Sequence, residues 1–283
     1  MALAPINQAV ADNSWQQLRL VATDMDGTLT QHGKFTARLL QALEGLSAVK
    51  IPVLIVTGRS AGWVSGLVSY LPVAGAIAEN GGIFYLSPSD EPIALTQLPD
   101  LIAHRQQLAS VYQHLKSEFP QIQESSDNRF RLTDWTFENR DLSVTQLQRL
   151  EGLCAGLGWG FTYSSVQCHI KPISQDKAVG LMQVLGDYFP QYKTKQVLTV
   201  GDSPNDASLF NPQLFPLSVG VANVLEYANQ LTYQPTYVTT NSEGEGFCEM
   251  VGYLSEFSNV PYDNKYSRLP TNEGQKAEQK DKT

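Results

Sequence analysis

Leu18-Arg19-Leu20-Val21-Ala22-Thr23-Asp24-Met25-Asp26-Gly27-Thr28 is the stretch on which the fold turns. A short apolar run of β type ends in two carboxylates one residue apart, followed by a glycine able to turn sharply and a hydroxyl residue. Two acids so close repel each other. The arrangement makes physical sense if a cation lies between them or if they divide acid and base roles. The plain alternative is an acidic turn after an edge strand.

The construction recurs far downstream. Gln196-Val197-Leu198-Thr199-Val200 is a second apolar run, ending in Gly201-Asp202-Ser203-Pro204-Asn205-Asp206. Pro204 suits the first position of a helix, where no backbone N–H is needed. Between the two acidic turns, Val53-Leu54-Ile55-Val56 runs into Thr57-Gly58-Arg59, and Lys177 lies at the start of an amphipathic helix. A cation in a first helical turn stands against the helix dipole, so a lysine there points to a use. Lys171, six residues earlier, is its rival, and Arg59 reads equally as a surface charge or a ligand.

In this order the four turns resemble the four motifs of the haloacid dehalogenase-like phosphohydrolases, over residues 18–256. The resemblance implies that Asp24 attacks phosphorus and that Asp26 protonates the leaving oxygen and then activates water. It implies a Mg²⁺ held by Asp24, the Asp26 backbone carbonyl and Asp202, with Asp206 and Asn205 orienting bound groups. Thr57, Gly58, Lys177 and Asn205 would hold the phosphoryl group. An acid at position 26, where dehalogenases lack one and cation-pumping ATPases carry Thr, favours phosphatase or phosphomutase chemistry. For Asp206 alone, a first-turn acid favoured by the dipole is the structural alternative.

Composition fits a soluble enzyme of 283 residues, 42% hydrophobic and 17% charged. A net charge of -8 argues against a nucleic-acid-binding surface. Cys154, Cys168 and Cys248 are odd in number and lack metal-ligand spacing, so they are expected as buried thiols in a reducing compartment. No stretch is apolar enough to span a bilayer, and Met1 to Ser14 lacks the features of a secretory signal. A cytoplasmic monomer without membrane or nucleic-acid partners is expected.

Strand and helix signals alternate over residues 18–78 and again after 172, the pattern of βαβ units on a parallel sheet. The expected fold is α/β: a Rossmann-like doubly wound parallel-sheet core (15–86 and 171–257) with an inserted α+β cap (87–170). Residues 1–14 are expected to be flexible and 258–283 disordered. Ser174 is the expected N-cap of a helix over 174–189 with Val179, Met182, Leu185 and Phe189 on its inner face. The insertion point resembles the type-IIB cap. Ala78-Glu79-Asn80-Gly81-Gly82-Ile83-Phe84 and Val219-Gly220-Val221-Ala222-Asn223 resemble the Cof-type sugar phosphatases and their sucrose- and mannosylglycerate-phosphatase relatives.

Within the insertion, Arg129 and Arg131 are expected to alternate on one extended segment near 121–132, and His169 and Lys171 on another. Such pairs could hold a sugar hydroxyl or a second anionic group; a solvated sheet face is the alternative. Trp135 and Phe137 are expected in the core, and His32, His104 and His114 at the surface. The leading expectation is a Mg²⁺-dependent phosphomonoesterase acting on a small phosphorylated metabolite, a sugar phosphate. A phosphomutase and a non-catalytic phosphometabolite-binding protein are the alternatives.

Overall fold

The runs that end in the acidic turns are apolar at nearly every position because both faces of their strands are covered. The computed structural model describes residues 3–11, 15–89, 91–140 and 142–257. The chain starts with β1 (Ala4–Pro5), α1 (Ile6–Ala11), β2 (Leu20–Thr23), α2 (Ala37–Ala48), β3 (Val53–Val56) and α3 (Ala61–Tyr70). There follow β4 (Gly75–Ala78), β5 (Ile83–Leu86) and β6 (Ile93–Ala94). An excursion comprises α4 (Leu101–Glu118), β7 (Trp135–Glu138), α5 (Val144–Gly156), β8 (Gly160–Tyr163) and β9 (Gln167–Lys171). The chain returns through α6 (Lys177–Tyr188), β10 (Val197–Gly201), β11 (Leu217–Gly220), β12 (Tyr237–Val238) and α7 (Glu243–Phe257).

The large sheet has the order β1-β12-β11-β10-β2-β3-β4-β5-β6, parallel from β1 to β4 and antiparallel at β5 and β6. From β2 the chain moves outward one way through β3 and β4, and from β10 the other way through β11 and β12. The junction of β2 and β10 is therefore a topological switch point, where loops at the carboxyl ends of the strands part and leave a crevice. One face of the sheet packs on α2 and α7, with Leu39, Leu43, Phe247 and Met250 buried. The other packs on α6 through Ala178, Leu181, Val184 and Leu185. This is the α/β, Rossmann-like class expected.

The second sheet is antiparallel, in the order β7-β9-β8. Alternation along β9 decides its two faces. Cys168 and Ile170 join Phe137 and the inner residues of α4 and α5, such as Leu108, Leu115 and Leu150. Gln167, His169 and Lys171 point the other way, yet all three are buried, because that face is pressed against the large sheet's loops instead of water.

Several expectations are corrected. Residues 4–11 are ordered: β1 pairs with β12, and Ile6 and Ala9 are buried. Residues 1–2, 12–14 and the tail from 258 lie outside the described residues. β6, assigned to the insertion, pairs with β5 in the large sheet. The N-cap of α6 is Asp176, whose carboxylate accepts from Ala178 N and Val179 N, and Val179 and Met182 are exposed. The segment 126–130 is a 3₁₀ turn, so Arg129 and Arg131 do not alternate on a strand. His104 is buried and its Nε2 lies 2.9 Å from Thr133 O.

Candidate active site

Asp24, Thr57 and Asp202 each follow the carboxyl end of a parallel strand, and the strand register brings them together. The Asp24 amide donates to Val200 O at 2.9 Å, which fixes the first acidic turn beside the second. Gly27 has φ +80, and a Cβ on it would lie 2.6 Å from Asp202 Oδ2, so only glycine lets the two turns approach. Asp202 is held from both sides: Thr28 Oγ1 donates to its Oδ1 and Asn223 Nδ2 to its Oδ2, each at 2.9 Å. Asn223 also donates to Gly27 O.

Lys177 joins the turns electrostatically. Its Nζ lies 2.5 Å from Asp24 Oδ1 and 2.7 Å from Asp206 Oδ1, with the lysine side chain fully buried. The second Asp206 oxygen accepts from Asp202 N and Ser203 N, so Asp206 braces its own turn as well as holding the lysine. Burial works against the Lys177 charge, but Asp206 and Asp24 outweigh it and hold the ammonium above its usual range. Burial pushes the Asp24 carboxyl up to about 7, opposed by Lys177 and reinforced by Asp206 and Asp26. Asp202 is pushed well up by burial and by Asp24 and Asp206.

Such a cluster fits a hard divalent cation. Asp24, Asp202 and Asp206 can each turn one carboxylate oxygen to within 4.8 Å of the others, an all-oxygen donor set of the kind Mg²⁺ prefers. The raised pKa values of Asp24 and Asp202 are the expected consequence of burying them beside a third acid with one lysine to offset the three.

Asp26 is tied to Arg59 in a two-point pair, Nε to Oδ2 at 2.8 Å and Nη2 to Oδ1 at 2.6 Å. Arg59 rests in turn over the Trp63 ring, 5.2 Å from its centroid. Weighed from sequence as an equal chance of surface charge or ligand, Arg59 is a direct partner of the second acid. Thr57 is buried, its amide donating to Ile77 O and its Oγ1 accepting from Arg59 N. Asn205 is buried; Ser203 Oγ donates to its Oδ1, and its Nδ2 donates to Asn80 Oδ1.

The residues expected from the insertion meet different fates. Arg129 is exposed over the Phe130 ring. Arg131 is buried, and each of the five guanidinium N–H groups has an acceptor: Gly58 O and Asp134 from Nη1, Asp127 and Gln167 from Nη2, and Asp127 from Nε. It is a strut between the small sheet and the turn after Thr57, with nothing left for a ligand. Lys171 donates to Gln175 O, and burial lowers its pKa. His169 alone keeps a ring nitrogen uncommitted: Nδ1 meets Asp134 Oδ2 at 2.8 Å, whereas Nε2 lies 3.1 Å from where a Cβ on Gly58 would stand. Burial, opposed by Asp134, keeps His169 below its ordinary pKa, and Arg131 and His169 outweigh burial to keep Asp134 ionised.

Sequence reasoning missed Glu79, Asn80, Asp134 and Asn223 as working residues. Glu79 is fully buried and accepts from Ala61 N, Leu132 N, Thr133 N and Thr133 Oγ1, anchoring the 131–134 segment to the large sheet. The signal was present in Glu79-Asn80-Gly81-Gly82: both Glu79 and Asn80 take φ +53, and Asn is among the few side chains that tolerate it. A cavity of about 10 Å³ is lined by Asp24, Asp26, Thr57, Gly58, His169 and Asn205 among others. A larger one of about 510 Å³ reaches Lys171, Lys177, Asn80 and again Asn205.

The sequence profile of the haloacid dehalogenase-like hydrolases matches residues 21–134. A phosphoglycolate phosphatase of Haloarcula marismortui is 30% identical over 81% of this chain and 93% of its own length. One from Methanothrix thermoacetophila is 28% identical over 84% and 97%. A Thermoplasma acidophilum structure superposes with a TM-score of 0.67 at 19% identity, covering 85% of this chain and 98% of its own. The sucrose-phosphatase of Synechocystis, solved with sucrose and phosphate, gives 0.63 at 19% identity over 84% and 98%. The two structures speak for the fold. No helix among the described residues is long and apolar enough to cross a membrane.

Proposed function

This chain belongs to the haloacid dehalogenase-like hydrolase family and is a phosphatase of it, and from that premise we propose that it hydrolyses a small phosphate monoester through an aspartyl-phosphate on Asp24. The observation that carries the reading is the buried set of Asp24, Lys177, Asp202 and Asp206 at one switch point, with Lys177 Nζ 2.5 Å from Asp24 Oδ1.

Asp24 is the attacking carboxylate. Its position directly after β2 leaves one oxygen held by Lys177, which orients the other for in-line approach to phosphorus. Thr57 Oγ1 and the Gly58 amide donate to the phosphoryl oxygens, and Lys177 offsets the charge that gathers there. Asp26 gives a proton to the leaving oxygen and then takes one from the water that opens the acyl phosphate. Arg59 keeps the Asp26 carboxylate aimed between these tasks. Asp24, Asp202 and the Asp26 carbonyl would hold a Mg²⁺ ion, whose positive charge would offset that of the carboxylates and the phosphoryl group. Asp206 then acts from behind, through Lys177 and the amides of its own turn.

The small sheet with α4 and α5 acts as a cap over the strand ends and limits the substrate to a small metabolite. Two substrate classes compete. The relatives named above favour phosphoglycolate; the resemblance to sugar phosphatases favours a sugar phosphate. A screen of phosphorylated metabolites for released inorganic phosphate, with Mg²⁺ and with chelator, tests the whole reading. Release that needs the metal and stops in Asp24→Asn is expected. Full activity in chelator, or in that variant, would overturn it.

A further inference from the structure

Of the three clustered acids, Asp202 is the one to which only neutral groups donate among the described residues. Lys177 Nζ is bonded to Asp24 Oδ1 and Asp206 Oδ1, and Asp206 spends its other oxygen on the amides of Asp202 and Ser203. Asp202 instead accepts from the Thr28 hydroxyl at Oδ1 and from the Asn223 amide at Oδ2. Each oxygen keeps a further lone pair, and the negative charge is left for a cation to offset.

Asn223 stands where three segments meet. The register that sets Gly201 beside Gly220 puts the end of β11 next to the turn that carries Asp202, and Asn223 follows in the 3₁₀ turn Ala222–Tyr227. Its amide orientation is fixed by its partners. The Glu243 backbone N–H, which can only donate, lies 2.9 Å from Asn223 Oδ1. The Gly27 carbonyl, which can only accept, lies 3.0 Å from Asn223 Nδ2. Both hydrogens of Nδ2 are therefore spent, one on Gly27 O and the other on Asp202 Oδ2 at 2.9 Å. These are two acceptors drawn to within 3.0 Å of one nitrogen, and without a donor between them they would repel. The third bond ties the pair to the first residue of α7. There a Cβ on Gly244 would lie 2.7 Å from Leu29 O, so that loop presses on the first acidic turn as well.

We propose that Asn223 is the positioning residue of the cation site: its amide clamps the Asp202 carboxylate to the first acidic turn, and Mg²⁺ affinity depends on that clamp. The proposal rests on the metal-dependent reading of the same site given above. Asn223 acts through Asp202 and the Gly27 turn and has no part in the chemical step. Partners that orient a metal-binding carboxylate in this way are worth about 10- to 100-fold in metal affinity.

Calorimetric titration of the full chain with MgCl₂, in the absence of substrate, reads the effect directly. Asn223→Ala should raise the Kd for Mg²⁺ by about 10- to 100-fold. Asn223→Asp keeps an acceptor for Glu243 N but sets a carboxylate where the donor stood, against Gly27 O and Asp202 Oδ2. It should weaken Mg²⁺ by about tenfold or more, despite adding a negative charge beside the cation. Urea unfolding in chelator follows the fold of each variant separately from its metal. A Kd within about threefold of wild type in both variants would overturn the proposal. So would tighter binding by Asn223→Asp, which would mean that local charge and not the clamp sets affinity. Variants with no cooperative unfolding transition, with or without Mg²⁺, would place the amide in the scaffold and overturn the proposal too. A wild-type protein that binds no Mg²⁺ would instead remove the metal-dependent reading beneath it.

Discussion

The floor of the site and the wall that faces it are built from the same residue types, yet they use their charges in opposite ways. On the floor, Asp24, Lys177, Asp202 and Asp206 stand in unresolved tension: three acids share one lysine, and burial lifts the Asp24 carboxyl to about 7. On the wall, Arg131, Asp127, Asp134 and Gln167 satisfy one another almost completely. A charge network with every N–H and oxygen matched holds elements together; one with surplus like charge waits for a ligand. Charged residues on the two sides of a crevice therefore cannot be ranked as binders by type or by burial. What separates them is whether their hydrogen-bonding capacity is already spent.

The sharpest way to break that contrast is at Asp24, the proposed nucleophile. Asp24→Asn keeps size and most of the Lys177 contact but cannot form the acyl phosphate, and kcat should fall on the order of 10⁴ or more, as for removal of other nucleophiles. Single-turnover assays measure it, and trapping with beryllium fluoride should mark residue 24 in the wild type alone. Residual activity within tenfold would move the reaction off the floor.

Asp26→Asn should cost about 10² to 10⁴ in rate on alkyl phosphates, the usual worth of a positioned acid–base group. On aryl phosphates, whose leaving groups need little protonation, the loss should shrink. An equal loss on both classes would mean that Asp26 serves only to hold Arg59, and would shift that pair from the chemistry to the scaffold.

How far the two regions were legible in the sequence follows from the same contrast. The floor was readable because Asp24 and Asp202 each follow the end of a parallel strand, with Asp206 in the turn beyond the second, and strand order dictates where such ends meet. Lys177 is favoured over Lys171 by the family resemblance of Ser174-Gln175-Asp176-Lys177-Ala178 and by the place of Lys171 at the edge of the insertion; Lys177 bridges Asp24 and Asp206 while Lys171 donates to Gln175 O. The α/β core and most of its helices were likewise carried by apolar periodicity. The wall was not readable. Alternation along β9 tells which residues share a face, but not that the face is an interface rather than a solvent surface. Within the extended segment placed at 121–132, residues 126–130 form a 3₁₀ turn, where alternation fails, and so Arg129 and Arg131 part company. Glu79 and Asn80 act through backbone conformations with φ +53, which apolar pattern does not encode.

A smaller effect should come from removing the cation. Asp24 titrates at about 7 in the folded chain against an ordinary value of 3.8. Between these values the native form binds more protons than the unfolded one, so without metal, stability should fall as pH rises from about 4 to 7. A bound Mg²⁺ requires ionised carboxylates and offsets their repulsion, so its stabilising increment should grow across the same window. At a concentration a hundredfold above its Kd the increment is about 2.7 kcal/mol. Thermal melts with Mg²⁺ and with chelator at pH 5 and pH 8 measure it. An increment that is the same at both pH values would show that the acids of the floor are not its ligands.

The smallest effect separates two arginines two residues apart. Arg129 is exposed and lies over the Phe130 ring, so Arg129→Ala should change kcat/KM by less than about twofold and stability by no more than about 0.5 kcal/mol. Arg131→Lys keeps the charge but replaces five fixed donors by three on a flexible stem, and cannot reach Gly58 O, Asp127, Asp134 and Gln167 together. Acceptors left unpaired in the interior should cost about 1–3 kcal/mol, seen as a lower midpoint in urea. With Gly58 and His169 less firmly placed, KM should rise for metabolite and aryl phosphates alike, because the strut serves the turn rather than the leaving group. That common rise is what distinguishes Arg131 from a selector. If Arg131→Lys instead raised KM only for the larger substrate, the arginine would be touching it, and the wall would hold its charges in reserve just as the floor does.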